Sequence, residues 1–452
     1  IGTAGVTALS IQQEQQYGAA FIKVARASFP MVNDPVLSEY ITDLGGKLVS
    51  QADSVRFPFH FFLIRNNEIN AAAFLGGYVK VHTGLFLNAK TESEFASVLA
   101  HEISHITQRH LARSLEAQAS NNKLTMAGIV GAVLLGIANP VAGIAALQTS
   151  VAINAQSSIN YTRQNEFEAD RIGIQVMANA GYNPEDMANF FGKLAEQYRY
   201  SSKVPQMLIT HPLPTTRVAE ARDRATLYPA RHYQASLNFQ LAKARIQVRY
   251  GTFKAEDALQ YFQDQIDKKQ YLLADAAWYG KALALIQLDK AKQAKTILTK
   301  LIANTPDNLF YLDSLTDADL ALKNPQQAVQ RLEQASLTYT DNAVVTLNLT
   351  VALQQAKRYK EAIKLIRSFV EQHEQDIAAI ELYIGLLEQT GDEVNMYIQR
   401  ANLALLKADY PRANNALQAA RTLTESPLSL ARIDALIKRS KEAEKRMQAL
   451  QN

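Results

Sequence analysis

The stretch TESEFASVLAHEISHI at residues 91–106 decides the fold of the region around it. Its opening TESE has the pattern of a capping box, which predicts the first turn of a helix. Apolar residues then recur at helical spacing. Because His101 and His105 stand four residues apart, both side chains project from one helix face and can bind the same metal ion. Glu102 lies between them and can accept a proton from water at that metal.

A catalytic metal site of this type needs a third protein ligand and an open position. The segment NEFEAD at residues 165–170 places Glu166 and Asp170 on one helix face. Glu166 is the predicted third ligand, and Asp170 is predicted to fix the tautomer of a ligand histidine. The alternative interpretation of this acidic run is a solvated helix face. Glu168 projects about 200° away from Glu166, and His110 points about half a turn away, so neither is predicted to bind metal.

Composition restricts the class of protein. The chain has 452 residues, of which 48% are apolar and 20% charged, which excludes a disordered or low-complexity chain. Its net charge of +4, with no dense Lys/Arg run, gives no support for nucleic-acid binding. With no Cys, any metal site must use His and carboxylates. Because the chain begins with Ile1 and not Met, we expect that it was processed or shortened, with any signal peptide outside it.

An uncharged segment separates the two motifs. Residues 124–162 contain no Asp, Glu, Lys or Arg, and 124–147 are strongly apolar. Asn139-Pro140 interrupts the run, which predicts two short apolar helices in a hairpin and not one continuous span. Three interpretations remain open: a pair buried in the core or against a partner, an arm that contacts a membrane surface, and a true span.

Before the HEISH helix, the sequence indicates a small sheet. Residues 57–65 and 69–82 are rich in aromatic and β-branched side chains. Gly76-Gly77 within the second of these stretches predicts a hairpin turn. The fold class expected is therefore mainly α with a small β-sheet.

The last 220 residues have helical patterns throughout. PDN at 306–308 recurs as TDN at 340–342, and a period of 34 residues is typical of tetratricopeptide repeats. Small residues recur 12 apart on that period, as Ala282 with Ala294, Thr316 with Ala328, Thr350 with Ala362 and Ala404 with Ala416. We therefore predict a protease-like domain at 1–232 and an α-solenoid of repeats at 233–452, with an irregular helical bundle as the alternative.

Four segments together resemble one family. HEISH, NEFEAD, the Asn70-Ala71 to Gly84 block and His211-Pro212 followed by Arg217 are similar to the gluzincin zinc metallopeptidases of the HtpX and CAAX prenyl endopeptidase type. The resemblance covers about residues 30–225. It implies an α+β protease domain that hydrolyses peptide bonds. One departure is Ala72, where the family usually has Phe.

The resemblance also implies roles for individual residues. One Zn²⁺ per chain would be held by His101, His105 and Glu166, with Glu102 as general base and later as proton donor to the leaving amine. An extended substrate would pair with the edge strand at Asn70, Ala71 and Ala72, as in β-strand addition. Such binding reads mainly the peptide backbone, so broad sequence specificity is expected.

His211 and Arg217 leave alternatives open. His211 is either a hydrogen-bond donor to the tetrahedral oxyanion or a fourth zinc ligand that keeps the enzyme latent until the 204–216 loop moves. A surface loop histidine is the third interpretation. Arg217 is either a second oxyanion donor or a structural ion-pair partner.

With repeats at its C-terminal end, the architecture resembles repeat-bearing periplasmic proteases of Gram-negative bacteria that serve outer-membrane protein assembly. That resemblance implies residence in the periplasm, unfolded outer-membrane proteins as substrates, and recruitment of the assembly machinery by the repeats. It also leaves room for chaperone activity. The alternative function is a non-proteolytic chaperone or scaffold with a structural zinc site. A structural zinc needs no general base, so Glu102 favours the protease.

Overall fold

The structure is a computed structural model that describes residues 9–122, 155–199 and 206–451. The chain divides into two compact units. The first comprises the chain up to Val32, Ile41–Ser236 and the residues from Lys445 onwards; the second comprises Asn33–Tyr40 and Leu237–Glu444. The predicted fold class, mainly helical with a small sheet, is confirmed. We continue to propose 1–232 as the protease domain and 233–452 as the repeat domain.

Up to residue 236 the described elements are, in chain order, α1 (Ile11–Ser28), α2 (Pro35–Val49), β1 (His60–Ile64), β2 (Ala71–Ala73), β3 (Tyr78–His82), α3 (Thr83–Asn88), α4 (Glu92–Thr107), α5 (His110–Asn122), α6 (Ala155–Asn179), α7 (Glu185–Tyr198), α8 (Gln206–Thr210) and α9 (Thr215–Ala225). The HEISH motif lies in α4 and NEFEAD lies in α6, as the sequence predicts.

The sheet has three strands in the order β1-β3-β2. β2 and β3 pair antiparallel, with Ala72 opposite Lys80, so the predicted hairpin is confirmed. β1 pairs parallel to β3, with His60 opposite Tyr78, a pairing that the sequence pattern did not reveal. β2 is an edge strand and packs against α4. The strand predicted to receive substrate therefore lies beside the helix that carries the two histidines.

Two glycines permit close approaches in this unit. Gly77 in the hairpin turn has φ of 88°, and a Cβ there would lie 2.1 Å from the carbonyl oxygen of Pro58. Gly173 lies where α6 crosses α4, and a Cβ there would lie 3.3 Å from the backbone N of His101. At residue 77 only glycine fits without strain. At residue 173 glycine keeps α6 close enough for its acidic side chains to reach α4.

The apolar segment 124–147, predicted to form a hairpin, lies outside the described residues. The last residues of the uncharged stretch, from Ala155, form the first turns of α6. Within the described parts of the chain, no helix is both long enough and apolar enough to cross a membrane.

From residue 237 the described elements are all helices: α10 (Leu237–Arg249), α11 (Ala255–Asp267), α12 (Ala274–Gln287), α13 (Ala291–Asn304), α14 (Leu309–Ala321), α15 (Pro325–Thr338), α16 (Ala343–Gln355), α17 (Tyr359–Gln372), α18 (Ile377–Thr390), α19 (Glu393–Leu406), α20 (Tyr410–Thr422) and α21 (Pro427–Gln451). Successive helices pack pairwise, and the 12-spaced small residues are buried between them except Ala416, which is half-buried. Small side chains at these positions allow the helix axes to come close.

One fully buried cation organises the start of the repeat unit. The Nε atom of Arg245 on α10 lies 2.7 Å from Oδ2 of Asp34, and its Nη1 atom lies 2.7 Å from Oδ2 of Asp313 on α14. Arg245 also donates to the hydroxyl of Tyr279 on α12 at 3.1 Å. Burial alone would lower the pKa of Arg245, but the carboxylates of Asp313 and Asp34 raise it well above its ordinary value. The guanidinium therefore stays charged and ties together three repeat helices and the turn before α2.

Removal of one partner should destabilise this unit. We expect Asp34→Asn to lower the free energy of unfolding by about 3–5 kcal/mol, because it leaves a buried guanidinium with one carboxylate instead of two. Urea unfolding followed by the fluorescence of Trp278, the single Trp of the chain and a residue of α12, measures the change. Asp264→Asn, which breaks an exposed ion pair to Lys268, is the matched control and should leave the midpoint unchanged. Equal midpoints in both variants would contradict the role of Asp34.

Candidate metal centre

The helix that carries the two histidines begins as the sequence predicts. Thr91 is the N-cap of α4, and its hydroxyl accepts a hydrogen bond from the backbone N–H of Glu94 at 3.0 Å. The reciprocal bond differs from a standard capping box, because the Glu94 carboxylate accepts from the N–H of Lys90 at 2.6 Å. Thr91 also donates to Asp186 on α7 at 2.7 Å. These bonds fix the start of α4 and thereby the direction in which His101 and His105 project.

Helix α6 supplies the predicted acidic partners. Asn165, Glu166 and Asp170 are all buried, so the acidic run is not a solvated helix face. Oδ1 of Asp170 lies 2.9 Å from Nδ1 of His101. A carboxylate at that atom fixes the proton on Nδ1 and leaves Nε2 free to bind a metal, which is the role predicted for Asp170.

Four side chains converge on one point. Nε2 of His101 lies 3.0 Å from Nε2 of His105, while Oε2 of Glu166 lies 3.3 Å from the first of these nitrogens and Oε1 lies 3.3 Å from the second. Nδ1 of His211 lies 3.3 Å from Nε2 of His101 and 3.1 Å from Oε1 of Glu166. Among the described residues, these four form a group whose ligand atoms all lie within 4.8 Å of one another.

The spacing of these atoms fits a tetrahedral metal ion. Ligands bonded to zinc at about 2.0–2.1 Å stand roughly 3.3 Å apart in a tetrahedron. Five of the six pairs of side chains have such atoms 3.0–3.3 Å apart, and the ligand atoms of the whole group lie within 4.8 Å of one another. Two or three imidazoles with one carboxylate are also a donor set that suits zinc. The residues present therefore fit the metal that the HExxH pattern implies.

Glu102 is placed for proton transfer. Its side chain is 1% exposed, and neither carboxylate oxygen has a hydrogen-bond partner among the described residues. The nearest charged or imidazole group is Nε2 of His211, 3.5 Å from Oε1. A buried carboxylate without a partner is costly, so its retention beside the metal ligands indicates a chemical task such as binding and activating a water molecule.

Arg217 holds the carboxylates from behind. Its Nε and Nη2 atoms donate to the two oxygens of Asp170 at 2.7 and 2.8 Å, and its Nη1 lies 2.9 Å from Glu166. The same Nη1 donates to the carbonyl oxygen of Pro212 at 2.7 Å, which anchors the segment after His211. These contacts favour the ion-pair interpretation over the oxyanion-donor interpretation of Arg217.

Charge balance within the cluster supports a cation site. Burial would lower the pKa of His101, but its contacts with Asp170 and Glu166 raise it to about 10. Burial would raise the pKa of Glu166, but His211 and the two α4 histidines hold it well below its ordinary value. Burial lowers the pKa of His105. The carboxylates are therefore ionised and favour positive charge among the four ligand atoms.

The segment that carries His211 differs from its expected form. Residues 204–216 were expected to be a loop, but Gln206–Thr210 form the short helix α8, and α9 begins at Thr215 with Pro214 as its N-cap. The N–H of His211 donates to the carbonyl of Met207 at 2.8 Å, which continues the helical turn. His211 is therefore held at the end of a helical turn and directed at the other three ligand atoms.

Two residues of the site were not foreseen. His110 lies 2.9 Å from His105, Nδ1 to Nδ1, and its Nε2 lies 3.1 Å from Oε2 of Glu168. Neither is among the four side chains whose ligand atoms converge. The helical-wheel argument assumed a straight helix through residue 110, and the chain breaks between α4 and α5. The one feature of the sequence that could have indicated this contact is the residue types, since a His and a Glu can form a hydrogen-bonded pair.

Three features define the class of protein as a metallopeptidase: a helix with two histidines, a carboxylate from a neighbouring helix and a buried Glu without a partner among the described residues. The sequence profile of peptidase family M48 matches residues 35–225, and that of a tetratricopeptide repeat matches residues 319–383. A beta-barrel assembly-enhancing protease of Yersinia pestis is 40% identical over 453 residues, 100% of this chain and 93% of that protein. One of Escherichia coli (strain K12) is 40% identical over 447 residues, 99% of this chain and 91% of that protein.

The chain belongs to peptidase family M48 and carries tetratricopeptide repeats after its peptidase domain. The resemblance to zinc metallopeptidases with C-terminal repeats and the predicted activity, a metalloendopeptidase, are confirmed. The alternative of a non-proteolytic scaffold loses support accordingly. The family implies a metal ion, and the four convergent side chains could hold one.

Loss of the carboxylate behind His101 should weaken metal binding. We expect Asp170→Ala to lower metal affinity by about 10- to 100-fold, because His101 loses the partner that fixes its tautomer and orientation. Competition with a chromophoric chelator measures the dissociation constant. Asp170→Asn should lose less, because its amide oxygen still accepts from Nδ1–H of His101. Asp319→Ala, which removes a buried carboxylate paired with Lys295 and Arg331 in the repeat unit, is the matched control. If it weakened metal binding as much, the effect would be one of stability.

Proposed function

We propose that the metal is one Zn²⁺ per chain and that His101, His105 and Glu166 hold it. The observation that carries this proposal is the convergence of the two α4 imidazole nitrogens and the Glu166 carboxylate of α6, with separations of 3.0–3.3 Å. When bound, the zinc would act as a Lewis acid for the peptide carbonyl and for water. The absence of Cys from the chain supports zinc bound through nitrogen and oxygen.

Glu102 would carry the proton transfers. Its two unpartnered oxygens can accept a hydrogen bond from the attacking water and take its proton as the new C–O bond forms. The protonated Glu102 would then deliver that proton to the nitrogen of the leaving amine as the C–N bond breaks. The dry surroundings strengthen these interactions, because little water competes with the carboxylate.

The substrate would bind as an added strand on β2. β2 is the edge of the sheet and packs on α4, so a peptide paired with Asn70, Ala71 and Ala72 would pass beside the metal ligands. Pairing through backbone groups is indifferent to most side chains. Small residues at 71 and 72 leave room for varied substrate side chains, which supports broad specificity.

We further propose that the chain works in the periplasm on misfolded or stalled envelope proteins. The name of the relatives, beta-barrel assembly-enhancing protease, supports unfolded outer-membrane β-barrel proteins as substrates. The tetratricopeptide repeats would recruit these substrates or the outer-membrane assembly machinery. Assistance to folding in addition to proteolysis, and contact of the segment 124–147 with a membrane surface, remain part of this proposal. No nucleic-acid partner is proposed.

His211 would occupy the fourth position and keep the enzyme latent. Its Nδ1 lies within 3.3 Å of a ligand atom of both His101 and Glu166, which is the place of a fourth tetrahedral ligand. An imidazole there would exclude the catalytic water, and its withdrawal would open the site. This proposal favours the latency interpretation of His211 over oxyanion support.

The Glu102→Gln variant tests the proteolytic function. We expect it to lose about 10²–10⁴-fold in kcat, because glutamine cannot accept the proton, with metal content unchanged. The assay is cleavage of a denatured outer-membrane β-barrel protein, with metal measured by elemental analysis. Glu185→Gln, an exposed position on α7, is the matched control. Equal and measurable cleavage by Glu102→Gln and the unsubstituted chain would reject proteolysis at this site and favour the chaperone or scaffold alternative.

The His211→Ala variant tests latency. We expect faster cleavage than by the unsubstituted chain, because the fourth position becomes open to water, with one metal ion still bound through three ligands. The rate of cleavage of the same denatured substrate gives the result. Glu102→Gln added to His211→Ala should abolish the gain, which shows that the extra activity arises at this centre. Slower cleavage by His211→Ala would favour oxyanion support instead.

A further inference from the structure

The chain changes direction sharply after the second ligand histidine. α4 ends at Thr107, and Arg109 adopts a left-handed conformation with φ of 56° before α5 begins at His110. Non-glycine residues rarely adopt this conformation without support. Arg109 has that support, because its guanidinium donates to the buried carboxylate of Glu14 at 2.7 Å and to the carbonyl of Leu9 at 2.6 Å.

The change of direction between α4 and α5 brings the ring of His110 next to the ring of His105. In a straight helix a residue five positions on would point about 140° away. Here Nδ1 of His110 lies 2.9 Å from Nδ1 of His105, and the rings meet edge to face at a centroid distance of 4.8 Å. His110 is only 3% exposed. A buried imidazole at this distance makes a specific contact with the second nitrogen of a proposed metal ligand.

The contact continues to a carboxylate and a guanidinium. Nε2 of His110 lies 3.1 Å from Oε2 of Glu168, and Nη1 of Arg113 lies 3.3 Å from the same oxygen. The side chain of Glu168 is 26% exposed and that of Arg113 is 35% exposed. A chain of polar contacts thus runs from the buried ligand to the surface of the first unit.

Only one arrangement of protons satisfies every contact when His105 binds metal through Nε2. Its proton then lies on Nδ1, which must donate to Nδ1 of His110. His110 must in turn carry its proton on Nε2 and donate it to Glu168, which accepts from Arg113 as well. Glu168 thus fixes the tautomer of His110, and His110 fixes the tautomer of His105.

We propose that His110 is a positioning residue for metal binding, which orients His105 and is itself oriented by Glu168. The inference rests on the proposed ligand set of His101, His105 and Glu166. It extends the site beyond the residues that supply ligands or transfer protons. Its chemistry is that of an outer hydrogen-bond partner, a neutral imidazole acceptor for the N–H of a metal-bound imidazole.

The other ligand histidine has a comparable support. His101 contacts Asp170 directly, and Arg217 binds Asp170 from behind. Both supports end in a carboxylate held by an arginine, but a neutral ring separates His105 from its carboxylate. A neutral acceptor gives the ligand less negative charge than a carboxylate does. His105 is thereby oriented without a fourth buried carboxylate in a cluster that already contains three.

The test compares metal affinity in variants of His110. We expect His110→Leu to raise the dissociation constant for Zn²⁺ by about 10- to 100-fold, because the N–H of His105 loses its acceptor. His110→Asn should recover most of that loss, since its amide oxygen lies where Nδ1 was and accepts the same proton. His82→Leu, another buried histidine replaced in the same unit, is the matched control and should bind Zn²⁺ normally.

A second arm examines the carboxylate. Glu168→Leu removes the acceptor for His110 and should weaken Zn²⁺ binding by a smaller factor than His110→Leu does. Glu168→Gln retains a carbonyl oxygen at that place and should bind almost as the unsubstituted chain. Thermal melts of the metal-free variants report stability separately, and the increase in Tm on adding Zn²⁺ reports binding. A merely structural His110 would lower the metal-free Tm and leave the Zn²⁺-induced increase unchanged.

Two outcomes separate this inference from the proposed function. If His105→Ala removes Zn²⁺ binding but His110→Leu binds as the unsubstituted chain does, the positioning role is overturned and the ligand set stands. If His105→Ala also binds normally, the ligand set itself is wrong. Equal loss in His110→Leu and His110→Asn would likewise overturn the role, because the acceptor would then not be the property that matters.

Discussion

The close crossing of α4 and α6 is the constraint on which the metal centre depends. Gly173 allows the helices to approach, and this approach brings Glu166 and Asp170 against His101 in a region with almost no access to water. Carboxylates in such a place are stable only when paired. Arg217 and the histidines provide that pairing, so the ligand geometry and the electrostatic balance have the same origin.

In the repeat unit a buried charge is also paired, but there every charged group of the cluster has its partners. Arg245 is fully buried and satisfied by Asp34, Asp313 and Tyr279, so its charge is balanced within the protein. In the metal centre Glu102 has no partner among the described residues. Of these two buried polar clusters, one is closed and contributes to stability, and the other contains an open acceptor. Of these two clusters, the open acceptor therefore marks the metal centre as the reactive one.

The sequence predicted what depends on local periodicity and failed where the chain departs from it. The i, i+4 spacing placed His101 and His105 together because α4 is regular through both residues. The 34-residue period located the repeats for the same reason. The parallel pairing of β1 with β3 and the contact of His110 with His105 could not be read in this way, since each depends on a turn whose direction no periodic pattern specifies. Arg109 adopts the left-handed conformation that turns the chain so that His110 contacts His105. It is neither glycine nor asparagine, the residue types that would mark such a conformation in the sequence.

The four proposed ligand positions differ in how firmly the fold holds them. α4 and α6 have 16 and 25 residues and pack directly on one another, so moving His101, His105 or Glu166 would disturb a large apolar contact. His211 follows a helix of five residues. Segments with few buried contacts open at the lowest free energy. Under the proposed latency, opening is therefore expected at His211, while the other three ligands and Glu102 keep their geometry.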